Sequence, residues 1–165
     1  MCYTPCRALL SRLCMRRRRA RQWQRYKGRK VMNDALIALA WTAALAGVLW
    51  LPYVLARMQV WGLKKTLDNP DPNAPALPDW AQRAQRAHAN LTENLVHFAA
   101  LVLLAQILGI AASIALFAVI FFWARLAHAV IYILGIPVLR TLAFLVGWVA
   151  EVLIFLKVIA ALYGG

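Results

Sequence analysis

The sequence predicts an all-α membrane protein, a bundle of four transmembrane helices. Three observations lead there. The 165-residue chain is 63% hydrophobic, with a mean hydropathy of +0.62, too apolar for an ordinary soluble domain. Its apolar residues form long runs, divided by a proline-rich connection, a lone glycine and a glycine–proline step. Inside two of those runs, polar residues recur at the spacing of one helix face.

Charge is distributed unevenly. The formal net charge is +13, yet residues 1–31 hold 11 of the 19 Lys and Arg and no acid. The remainder carries 8 basic and 6 acidic residues, a net of +2. Basicity is therefore a property of a tail. It does not argue for a nucleic-acid-binding fold, and no nucleic-acid partner is expected. All three cysteines (Cys2, Cys6 and Cys14) also lie in the tail, which excludes a disulfide framework or a cysteine nucleophile elsewhere. The run Arg16 to Arg19, with Trp23 and Tyr26 nearby, suits RNA or anionic lipid. We read residues 1–31 as a disordered basic extension, with Met32, just ahead of the first hydrophobic segment, as an alternative start. The tail is not a cleavable signal peptide: the apolar stretch is too long and no small-x-small site ends it.

Residues 32–165 make up the membrane domain. Ala35 to Leu55 is long enough for a first span, which needs about 20 residues. Pro52 reads as a kink near its end, and Trp50, Tyr53 and Trp61 as interfacial anchors. The connection KKTLDNPDPNAPALPD follows, and its prolines forbid a continuous helix. Asp79 starts helix two as an N-cap, with Gln82 placed for a capping box. Leu95 to Trp123 is too long for a single span, and Gly109 is its natural break. Helix two is therefore Asp79–Leu108 and helix three Ile110–Ile133. Helix four begins near Pro137, where proline is tolerated, and runs to Tyr163.

Helix two begins polar and ends fit for a bilayer. At about 100° per residue, Arg83, Arg86, Asn90, Glu93 and His97 fall within roughly 80° of one another. Such a stripe cannot face lipid, because a charge there costs about 3 kcal/mol or more. It must face protein or a wet cavity, as a polar ligand site or as an ion-pair network that glues helices together. On helix three, Arg125, His128 and Tyr132 share a face. In an antiparallel hairpin about Gly109, Glu93 is level with Arg125, Asn90 with His128 and Arg86 with Tyr132. Arg125 then lies about 24 Å from the turn, near the far edge of a core about 30 Å thick. Helix four returns Arg140 and Thr141 to that end of the bundle. Seven Lys and Arg outside the tail lie on or towards that side and only Lys157 towards the other. This makes the polar end cytoplasmic by the positive-inside rule, whereas the tail votes the opposite way.

The residues Arg86-Ala87-His88-x-Asn90-x-x-Glu93, Arg125-x-x-His128-x-x-x-Tyr132 and Arg140, in that order on a four-span chain, resemble the MAPEG family, membrane-associated proteins in eicosanoid and glutathione metabolism. Lys64-Lys65 and Asn69-Pro70-Asp71 resemble its first loop. The resemblance covers about residues 33–163. It implies a homotrimer in the membrane lipid, with glutathione as co-substrate bound between subunits near the cytoplasmic side. By position, Asn90, Glu93, His128 and Tyr132 would hold the tripeptide. Arg125 would support the network as a partner of Glu93, and Arg86 would sit at the rim. Arg140, by the thiol or a glutathione carboxylate, and Thr141 would be the catalytic residues. The chain departs from the family at Ala89 and Trp61, where animal members often carry arginine. Thr141 replaces a serine and Phe144 a tyrosine; Thr141 keeps a hydroxyl and Phe144 does not.

Elementary chemistry agrees. Glutathione has two carboxylates and an ammonium group; arginine forks bind carboxylates and Glu93 can take the ammonium. A cation such as Arg140 beside a thiol favours the thiolate. One expected function is transfer of glutathione to a lipophilic electrophile, or its reduction, by a bacterial inner-membrane protein. The other is a non-catalytic protein that keeps the fold and uses its stripe between subunits. His88 points away from the stripe and is expected in a helix contact, as is the deeper His97. Glu151 falls in mid-helix four, where it is protonated, paired or lining a cavity. The three histidines are too scattered for a metal site.

Overall fold

The computed structural model describes residues 34–69 and 71–164. The reading of residues 1–31 lies outside them. The described chain is helical, without strands. Helix α1 covers residues 34–48 and α2 Leu51–Leu67; together they form the stretch Asp34–Leu67, the first of 4 long and apolar enough to cross a membrane. The others are α3 (Asp79–Ile107), α4 (Ala111–Leu134) and α5 (Pro137–Tyr163). The protein is thus an integral, multi-pass, all-α membrane protein.

The first span differs from expectation. The helix is interrupted at residues 49–50, just ahead of Pro52, as a proline kink requires, but the interruption lies within the span and not near its end. The helix therefore passes Leu55 and runs to Leu67, taking in Lys64 and Lys65, which the sequence assigned to the connection. Helical angles lapse only at Gly62, with φ 78° and ψ 163°. The connection folds back on α2: the Trp61 indole N–H donates to the Pro75 carbonyl at 2.8 Å, and Lys65 pairs with Asp71 at 3.0 Å. The Asn73 backbone N–H donates to the Asp71 carboxylate at 2.9 Å. That bond, then the Lys65 ammonium, holds the Asp71 carboxyl below the usual carboxylate range.

The start of α3 is also corrected. Pro78 occupies the N-cap and Asp79 the first helical position, with no side-chain cap. Asp79 still complements the helix dipole there. Gln82 donates to the Leu77 carbonyl at 2.8 Å instead of closing a capping box. Gly109 (φ 71°) turns the chain into α4 and Gly135 (φ 79°) turns it into α5, a left-handed conformation that glycine adopts without strain.

The hairpin about Gly109 has the expected register. Phe98 stacks on Phe121 with centroids 4.0 Å apart, and the Arg83 guanidinium donates to the Ile133 carbonyl at 3.0 Å. Both pairs are nearly equidistant from the turn. Around the stacked rings, Val102, Ile114, Ile154 and Val158 form the main core with Ala35 and Ala38 of α1. A second cluster lies towards the other end, where Ala46 and Leu49 meet Ala87, Leu91 and Ala129. Alanine is frequent at these contacts, and small residues are what let membrane helices approach closely.

Candidate functional site

Arg125 is the largest fully buried side chain, 1% exposed. It lies on the face of α4 that also carries Phe121 and His128, one turn to either side. Its guanidinium donates to the Asn94 side-chain carbonyl at 2.7 Å and to that of Asn90 at 3.4 Å. The cation rests between two rings, 4.9 Å from the Phe121 centroid and 4.8 Å from that of Phe144. Packing is tight on the α5 side: a Cβ at Gly147 would stand 3.2 Å from Arg125 Nε. That Nε is itself buried without a hydrogen-bond partner.

His128, 4% exposed, ties α4 to the first turns of α5. Its Nδ1 lies 3.0 Å from the Arg140 carbonyl. A carbonyl only accepts, so Nδ1 carries the proton and Nε2 is left as an acceptor. Nε2 is buried and unmet. The imidazole also touches the rings of Tyr132 and Phe144, at 5.5 and 5.8 Å. The Arg140 guanidinium sits 4.3 Å from the Tyr132 centroid. A cation, a phenol and an imidazole thus stand together where α4 ends and α5 begins.

The structure brings Asn90, Arg125, His128, Tyr132 and Arg140 together around these contacts. It does not bring in Arg86 or Glu93. Both are exposed on α3, and neither forms an ion pair or hydrogen bond among the described residues. Thr141 is exposed and donates its hydroxyl to the Pro137 carbonyl of its own helix at 3.1 Å. The expected partner of Arg125 was Glu93; Asn94 and Asn90 hold it instead. Helix rotation explains the exchange. Glu93 points about 160° away from buried Leu91, whereas Asn94 points only about 60° from it.

Asn94 escaped the sequence reading. Its signal was its place one turn beyond Asn90, on the inward edge of the stripe. Arg83 was grouped with the stripe but serves the end of α4, with its guanidinium packed against Gly135. His88 makes the expected helix contact, 3.0 Å from the Tyr53 hydroxyl. His97 is exposed. Nearer the loop, Arg57 lies 5.4 Å from both the Tyr53 and Trp61 rings.

Two layers result. The inner one is a hydrogen-bonded guanidinium that fixes α3, α4 and α5. The outer one is Arg140 against Tyr132; Arg86 and Glu93 stand on the exposed face of α3 with no contact to it among the described residues. The MAPEG family model matches residues 38–160. Among curated proteins no match was found.

Proposed function

Because the chain belongs to the MAPEG family, matched over residues 38–160, we propose that it binds glutathione and delivers the thiol to a lipophilic electrophile arriving from the bilayer. Arg140 favours the thiolate, whose sulfur forms the new bond while the displaced electron pair leaves on the departing group. Arg86, Asn90, Glu93, His128 and Tyr132 hold the tripeptide. Arg125 supports them by fixing Asn90 from behind, and Thr141 offers a hydroxyl near the thiol once it leaves Pro137. The protein works as a homotrimer in a bacterial inner membrane with this end cytoplasmic.

Two observations carry the reading: Arg140 is held against Tyr132 and His128, and on the outward α3 edge Arg86 and Glu93 have no partner among the described residues. A bare charge against lipid costs about 3 kcal/mol, so a neighbouring subunit and a zwitterionic ligand together account for that edge. The test is titration of the purified protein with glutathione, read by ultraviolet thiolate absorbance. Wild type should develop the thiolate band and Arg140→Ala should lose it. No binding at millimolar glutathione overturns the reading.

A second reading, a non-catalytic family member, is favoured by Thr141 bonding to its own helix and by Phe144 packing on Arg125. It expects Glu93→Gln to break up the detergent-solubilised oligomer with or without glutathione.

A further inference from the structure

A crevice between α3 and α5 lies deeper in the bundle than the cluster described above, and none of that chemistry uses it. Its volume is about 370 Å³, and Asn94, His97, Leu101, Trp148, Glu151 and Phe155 line it. That size is ordinary for a small-molecule site. Glu151 is 8% exposed, lies midway along α5, and forms no hydrogen bond among the described residues. Its oxygens are not among the fully buried unpartnered atoms, so they open into the crevice, and an acceptor at membrane depth without a donor is destabilising.

The groups acting on Glu151 are Arg125 and His97. Arg125 forms no ion pair with it among the described residues and is committed by hydrogen bonds to Asn94 and Asn90. The open approach for a further donor is the crevice. Trp148 and Phe155 stand one turn to either side of Glu151 on the same helix face, with their rings partly exposed. They offer aromatic surface beside a lone acceptor.

We propose that this crevice binds a lipophilic phenol, its ring against Trp148 and Phe155 and its O–H donated to Glu151. A neutral donor fits better than an amine, because Arg125 already stands on that side of the bundle and a second cation in the bilayer interior is costly. An aromatic body fits better than an alkyl one, because ring-to-ring contact adds to burial. The site does not depend on glutathione.

The test uses the full chain in detergent with two probes, a brominated octylphenol and its methyl ether, which differ only in the O–H. Bromine quenches nearby indole, and Trp148→Phe identifies the quench that reports the crevice. The phenol should bind about tenfold more tightly than the ether, and Glu151→Leu should erase that preference while leaving ether binding unchanged. Equal affinity of the two probes for wild type overturns the proposal, as does a preference that survives Glu151→Leu. Should Glu151→Leu fail to fold, the wild-type comparison decides alone.

Discussion

Two faces of α3 carry the same kinds of residue and have opposite fates. On the inward edge, Asn90 and Asn94 are bonded to a guanidinium held between rings. On the outward edge, Arg86, Glu93 and His97 are exposed and find no such partner among the described residues. The difference is one of saturation. A polar side chain bonded across helices locks them together and has less left to offer a ligand. A polar group left open at membrane depth stores a demand that another subunit or a ligand can meet. Stability and recognition are therefore separated on one helix by less than half a turn.

Four substitutions or conditions can break or sharpen this contrast. The largest effect belongs to the inward edge. Asn94→Ala removes the shortest hydrogen bond to a buried cation and should destabilise the protomer by about 1.5–3 kcal/mol in detergent unfolding. Adding Arg125→Met should return most of the loss, because an apolar side chain of similar length needs no partner. If the double variant is no better than the single one, the guanidinium is not the reason for the loss. Gly147→Ala, pressing on Arg125 Nε from α5, should cost about 1–3 kcal/mol in the same measurement.

The outward edge should behave otherwise. Glu93→Gln should leave protomer unfolding within about 0.5 kcal/mol of wild type and weaken glutathione binding about tenfold. A large loss of protomer stability here would erase the distinction between the edges. The smallest effect lies outside the bilayer, at Asp71. Its carboxyl is held low by the Asn73 N–H and by Lys65, so its contribution to loop order is complete above the ordinary carboxylate range. It fades as pH falls through the lowered value. Limited proteolysis of the connection should quicken only in acid, and Asp71→Asn should remove that dependence.

Much of this organisation was legible beforehand. Helix α5 has the predicted bounds, Pro137 to Tyr163, because proline at its start and an unbroken apolar run leave little choice. Register about Gly109 followed from a single turn, and Phe98 on Phe121 bears it out. The end of the first span was misjudged because the polar Lys64 and Lys65 read as part of the connection, whereas the helix carries them on to Leu67. The division of the stripe was hidden for a subtler reason. Asn90, Glu93 and Asn94 differ by modest rotations about one axis, and only packing against α4 decides which of them turns in. His128 and Arg140 were readable as residue types, but the bond between the imidazole and the Arg140 backbone carbonyl was not, since it depends on how α5 leaves the Gly135 turn.

The broken first span has a mechanical meaning. Asp34–Leu67 runs to 34 residues, about 50 Å of helix, well beyond a hydrocarbon layer of about 30 Å. Its two pieces are anchored separately: Ala35 and Ala38 to the main core, Ala56 to Leu77 and Ala81, and Tyr53 to His88. The break near Trp50 is pinned from both sides, by Ala46 and Leu49 on Ala87, Leu91 and Ala129 and by Tyr53 on His88, so the angle between the two pieces is set by packing on α3 and α4.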